Sequence, residues 1–145
     1  MTDLDIRPAD WLNSRETLLS IRFEVFVNEQ GVPPELEEDA HDPLAFHLLA
    51  RNPAGIPAAT GRLLPDGRIG RMAVIKSLRG QGLGSALLAR LIERARQNGL
   101  ESVFLDAQCS AEPFYTKHGF IAEGEIFEDA GIPHRRMRKT IGKPA

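Results

Sequence analysis

Apolar and polar positions along this chain switch between two periods, and the switches mark its elements. Residues 4–7 read as a short edge strand. From Trp11 to about residue 29, Leu12, Leu18, Leu19, Phe23 and Phe26 recur at helical spacing and predict one helix with a core face. Gly31-Val32-Pro33-Pro34 stops it, and Glu35-Leu36-Glu37-Glu38-Asp39 follows as an acidic loop or short helix leading to Asp42-Pro43. Segments 45–51, 56–64 and 69–75 read as three antiparallel strands, with turns at Asn52-Pro53-Ala54-Gly55 and Pro65-Asp66-Gly67. Leu83, Leu87, Leu88, Leu91, Ile92 and Ala95 then repeat at helical intervals while Arg90, Glu93, Arg94 and Arg96 face away, until Asn98-Gly99 ends the helix. Residues 102–107 predict a buried strand, 110–118 a short helix, and 120–128 with 135–141 a closing hairpin. The order is mixed α/β, and the strand-helix-strand unit in its middle is expected to be parallel and right-handed.

Composition narrows the class. With 145 residues and 42% hydrophobic positions the chain reads as one domain, 1–145, large enough to bury a core. It has no run of 18 apolar residues and begins Met1-Thr2-Asp3-Leu4-Asp5 without a basic-then-apolar leader, so the expectation is a cytoplasmic protein with no membrane partner. Cys109 is the only cysteine, which excludes an intramolecular disulfide framework and a cysteine-based metal cluster. The spacing of His41, Asp42 and His47 does not match a zinc site, and no metal is expected. Net charge is −2 without a dense basic patch, so nucleic acid is not an expected partner.

The chemistry concentrates at Arg79-Gly80-Gln81-Gly82-Leu83-Gly84, a glycine-rich turn between a strand and an amphipathic helix. Backbone N–H groups at a helix start lack intrahelical partners, the helix dipole adds positive potential there, and glycines admit a bulky phosphate. Arg79 adds a fork suited to phosphate oxygens. A Walker loop would continue Gly-Lys-Ser/Thr, whereas Gly84 is followed by Ser85-Ala86; a dinucleotide fingerprint would need a different glycine spacing early in a parallel repeat.

Arg79-x-x-Gly82-x-Gly84, preceded by Arg71-Met72-Ala73-Val74 and followed by Phe114-Tyr115-x-x-x-Gly119-Phe120, resembles the GNAT superfamily of acyl-CoA-dependent N-acetyltransferases. The segments Ile21-Arg22-Phe23-Glu24-Val25-Phe26-Val27-Asn28-Glu29-Gln30 and Glu128-Asp129-Ala130-Gly131-Ile132-Pro133-His134 resemble its small bacterial ElaA-type branch. The resemblance implies an α/β fold of the α+β kind. Its central mixed sheet is largely antiparallel, with one splayed parallel pair, and about four helices flank it. It implies acetyl-CoA as cosubstrate. Met72, Ala73 and Val74 would offer main-chain groups to the pantetheine arm, and an N–H near Val74 would polarise the thioester carbonyl. Arg79, Gly80, Gln81, Gly82, Leu83, Gly84 and Ser85 would hold the phosphates, with Phe114 beside them. Ser110 departs from the asparagine common in relatives; it either binds the pantetheine amide or caps the next helix at Ala111.

Tyr115, the only tyrosine, matches the family position whose phenol protonates the departing thiolate. A phenol of pKa about 10 giving its proton to a thiolate whose thiol has pKa about 8.5 is uphill by about 2 kcal/mol, small against a catalytic barrier. The attacking amine must first lose a proton to a carboxylate, an imidazole or a water chain; Glu24, Glu29, His47 and His134 are the candidate bases, His47 reading also as a hydrogen-bonded core histidine. Cys109 reads as a small buried hydrophobe rather than a nucleophile. The run 35–39 reads as a solvated acidic loop, and Arg135, Arg136, Arg138 and Lys139 as an exposed strand face. The function implied is direct acetyl transfer to a primary amine on a small molecule or a protein, with a non-catalytic acyl-CoA sensor as the alternative. A homodimer is an allowed assembly.

Overall fold

The structure is a computed structural model that describes residues 5–142, so Leu4 of the expected first strand lies outside it. Strand β1 (Asp5–Ala9) leads to α1 (Trp11–Arg22), capped by the Asp10 carboxylate on the Asn13 N–H at 3.1 Å. The helix then continues as a π-helical segment, Phe23–Glu29. Leu18, Ile21 and Val25 are in the core, whereas Leu12, in the first turn, is 85% exposed. Trp11 anchors that turn instead, stacked on His47 at 4.9 Å with Arg22 over its ring.

Strands β2 (Phe46–Arg51), β3 (Pro57–Leu63) and β4 (Ile69–Val74) extend β1 into an antiparallel sheet ordered β1-β2-β3-β4. Helix α2 (Leu83–Gln97) buries all six apolar positions expected of it, each buried leucine contributing about 1.5–3 kcal/mol. It ends in a Schellman pair: Leu100 N–H to the Ala95 carbonyl and Gly99 N–H to that of Arg96, with Gly99 at φ +82°. Strand β5 (Ser102–Gln108), a 3-10 turn Cys109–Ala111, α3 (Glu112–Lys117), β6 (Ile121–Asp129) and β7 (Ile132–Thr140) complete the chain, in a second sheet ordered β5-β7-β6. The described residues contain three α-helices rather than about four, because the acidic run 35–39 yields only a 3-10 turn at Pro34–Leu36.

The two sheets meet at one parallel bridge, Arg68 with Phe104, where the Phe104 N–H donates to the Gly67 carbonyl at 3.1 Å. Gly67, at φ +98°, is required there, since a Cβ would sit 2.8 Å from the Ser102 carbonyl oxygen. Beyond the bridge β4 and β5 part, and a bulge in the β3–β4 ladder after Thr60 puts Arg71 at φ +49°.

Candidate active site

The parting strands open a cleft of about 880 Å³. It is lined by the glycine loop, by Leu36, Glu37, Asp39, His41 and Arg62, and by Tyr115 and His134 from the second half of the chain. In the loop, Gly80 and Gly82 both have positive φ near +80° and nothing within 4 Å of where a Cβ would lie. The first bond inside α2 is Ala86 N–H to the Gly82 carbonyl, so the N–H groups of Leu83, Gly84 and Ser85 have no carbonyl within the helix. This is an open turn whose main-chain N–H groups face away from any carbonyl of the helix. Phe114 packs against Gly84, and Ser85 Oγ is 2.9 Å from His118 Nε2. Gln81 and Ser110 are exposed and outside the lining; Ser110 does not cap α3, whose N-cap position is Ala111.

Arg79 lines the cleft, but its fork is taken. Nη2 donates to Glu29 Oε1 at 2.7 Å, Nη1 to the other oxygen, and Nε to the Val74 carbonyl at 2.9 Å. The guanidinium holds the Glu29 carboxyl below its ordinary range. Two Arg79 N–H groups remain for a ligand.

Tyr115 extends from α3 across the opening toward β4, its hydroxyl 4.0 Å from Met72 Sδ, with Phe114 and Phe120 edge-on to its ring. Burial pushes its pKa up to about 12, so the phenol keeps its proton at neutral pH. Against an ordinary thiol this raises the uphill transfer from about 2 to about 5 kcal/mol, a gap that closes only if the thiolate is desolvated in the same cleft.

Of the candidate bases, the cleft includes only His134 in its lining. Its Nδ1 lies 2.7 Å from the Ile132 carbonyl oxygen, which can only accept, so Nδ1 carries the hydrogen and Nε2 is the basic nitrogen. Its ring stacks on Phe127. Glu24 is exposed away from the cleft, and Glu29 is committed to Arg79. His47 is 2% exposed and donates Nε2–H to the Asp42 carbonyl at 2.8 Å, with burial lowering its pKa. It is a structural histidine. Cys109 is outside the lining, and burial with Glu112 nearby raises its thiol pKa, opposite to what a nucleophile needs.

The acidic run is not a solvated loop. Arg22, 1% exposed, donates Nε to Glu37 at 2.7 Å and both Nη groups to Asp42. Arg62 forks onto Asp39 at 2.8 and 2.9 Å and also reaches Asp42. Burial raises the Glu37 carboxyl despite Arg22 and Arg71, while for Asp39 and Asp42 the arginines outweigh burial and hold the carboxyls low. The signal in the sequence was present: Arg22 and Arg62 each sit inside an otherwise apolar stretch, where a charge needs a partner.

Residues 12–141 match the sequence profile described as an acetyltransferase (GNAT) domain, and the chain belongs to that family. A relative described as the uncharacterized N-acetyltransferase YjcF of Bacillus subtilis is 40% identical over 123 residues, 82% of this chain and 87% of that protein. The crystal structure of an acyl-CoA N-acyltransferase from Pseudomonas aeruginosa is similar at TM-score 0.85 and 34% identity, covering 95% of this chain and all of that one. Escherichia coli ElaA is similar at TM-score 0.82 and 28% identity, over 94% and 99% of the two chains. Its presence agrees with the branch that the early and late segments resemble. No helix among the described residues is long and apolar enough to cross a membrane, and none of their His, Cys, Asp and Glu side chains cluster in threes that could hold a metal.

Proposed function

We propose that the chain transfers an acetyl group from acetyl-CoA directly to a primary amine. The observation that carries this is the Tyr115 hydroxyl facing Met72 across the opening, in the cleft that the glycine loop lines. Acetyl-CoA, when bound, supplies an activated thioester. The Gly80–Gly84 main chain and the free Arg79 N–H groups hold its phosphates, and the β4 backbone around Met72, Ala73 and Val74 aligns its arm, so proximity does much of the work. A main-chain N–H near Val74 stabilises negative charge on the carbonyl oxygen. His134 Nε2 takes the amine proton, and Tyr115 gives its own to the departing sulfur. The apolar ring of Phe114 and the buried wall exclude water.

Thermal unfolding with acetyl-CoA, CoA, ATP and NAD in parallel tests the cofactor, since a ligand at about 100 times its dissociation constant adds about 2.7 kcal/mol of stability. Stabilisation by acetyl-CoA and CoA alone, with CoA released on adding amines, is expected; no stabilisation at millimolar concentration withdraws the reading. His134→Gln is expected to slow turnover by about 10²–10⁴ with acetyl-CoA affinity retained. Unchanged turnover would remove His134 as the base.

A further inference from the structure

One wall of the cleft carries a cluster of arginines and carboxylates in which two donor groups stay unused. Three guanidiniums, Arg22, Arg62 and Arg71, share the carboxylates of Glu37, Asp39 and Asp42. The two innermost take the short contacts. Arg71, whose side chain is 29% exposed and lines the cleft, has what remains: Asp39 at 3.1 Å, the Glu37 and Leu36 carbonyls at 3.2 and 3.4 Å, and Glu37 Oε1 at 3.5 Å. Its Nη1 makes none of these bonds. Arg62 Nε, in the same wall, is a buried donor with no acceptor among the described residues. Burial lowers the Arg71 pKa, whereas carboxylate partners outweigh burial and raise those of Arg62, Arg79 and Arg136, in line with the longer contacts that Arg71 makes. It also occupies a left-handed backbone conformation that a side chain adopts at a cost, in the bulge that aims it into the cleft. Arg68, which also lines the cleft, shares one carboxylate, that of Asp106, with Arg136.

We propose that Arg71 is the anion-reading residue of an acceptor subsite, and that the acceptor is a small primary amine bearing a carboxylate. This rests on the N-acetyltransferase reading. A carboxylate supplies an acceptor for the Arg71 Nη1 group, and Arg68, which also lines the cleft, adds positive potential. An amine without a carboxylate leaves the Arg71 Nη1 group without that acceptor, which is how a built polar site discriminates.

The test compares glycine, β-alanine and γ-aminobutyrate with their carboxamides, which differ in the charge Arg71 would read. Two readouts are taken: kcat/KM with acetyl-CoA, and the dissociation constant by calorimetry in the presence of CoA, where no transfer occurs. At least one carboxylate is expected to exceed its amide about tenfold to a hundredfold in both, the range of a charge-assisted hydrogen bond. Arg71→Gln is expected to bring that ratio close to one, and Arg71→Lys, which keeps the charge without the fork and carries the test if the glutamine variant does not fold, to lower it severalfold. Equal use of acids and amides overturns the proposal, as does a ratio unchanged in both variants, or acetyl-CoA binding with none of the acids bound or acetylated. Arg71-dependent carboxylate binding without any acetyl-CoA stabilisation would sink the acetyltransferase reading and leave the subsite standing.

Discussion

Arg79 and Glu29 lie fifty positions apart in sequence and form a two-pronged ion pair that ties the π-helical end of the first helix to the cofactor loop. The pair has consequences for ligand affinity. Both side chains are about a third exposed, at 39% and 32%, so their contribution to stability is below about 1 kcal/mol. For an incoming phosphate, however, Glu29 is a competitor for the fork and a like charge. Glu29→Gln is expected to tighten acetyl-CoA binding severalfold, with the gain shrinking as salt rises. Titration calorimetry checks it. A tenfold loss instead would mean that Glu29 holds Arg79 in its phosphate-binding pose.

Tyr115 carries its phenol proton to about pH 12 and touches Met72 with its oxygen, so Tyr115→Phe removes one oxygen and little packing. Turnover is expected to fall by about 10²–10⁴ while the dissociation constant for acetyl-CoA stays within about twofold. A variant with normal kcat would leave the aromatic ring as the residue's whole contribution. In the wild type, the rate is expected to show no basic-limb titration from this phenol below pH 10.

How much of this was legible follows from which forces were local. Helix α2 was readable to the residue because its stripe of Leu83, Leu87, Leu88, Leu91, Ile92 and Ala95 and its closing Gly99 are set within one element. Leu12 misled because helical spacing does not say which side of the first turn meets the sheet; the Trp11 ring, larger and held by His47 and Arg22, took that side. The glycine loop was legible as a turn that opens a helix, but the Arg79–Glu29 pair was not, since nothing in either local sequence names the other. The acidic run was misjudged for the same reason. Glu37 and Asp42 are buried only because Arg22 and Arg62, from two other elements, meet them there.

The buried network makes stability depend on pH in two stages. His47 has a folded pKa below its unfolded value of about 6.5, so the stability it confers when neutral is complete above that value and declines as pH falls. Asp39 and Asp42 are depressed below about 3.9, so their contribution is complete above that value and is lost as pH falls further. Glu37, raised by burial, runs the other way and partly offsets the first stage. Denaturant unfolding from pH 7 to 3 should show a decline beginning near pH 6.5 that His47→Gln flattens. Asp42→Asn, which leaves two buried arginines short of a partner, is expected to cost about 3–5 kcal/mol at pH 7. A loss below 1 kcal/mol would mean that the network tolerates an unpaired guanidinium.

Two glycines separate what the fold requires from what the ligand requires. Gly67 and Gly82 both have left-handed backbones, at φ +98° and +81°. A methyl group on Gly67 would meet the Ser102 carbonyl oxygen at 2.8 Å, at the one bridge joining the two sheets. Gly67→Ala is therefore expected to destabilise by more than the 1–2 kcal/mol that the left-handed conformation alone costs an L-residue. A methyl on Gly82 meets nothing within 4 Å, so Gly82→Ala should cost only that conformational term. In the glycine loop, though, the same methyl stands where a phosphate must approach the main chain, and acetyl-CoA affinity is expected to fall at least tenfold in a protein that still folds. Unfolding curves and acetyl-CoA titrations on the two variants decide it: normal affinity in Gly82→Ala would mean that the phosphates lie elsewhere.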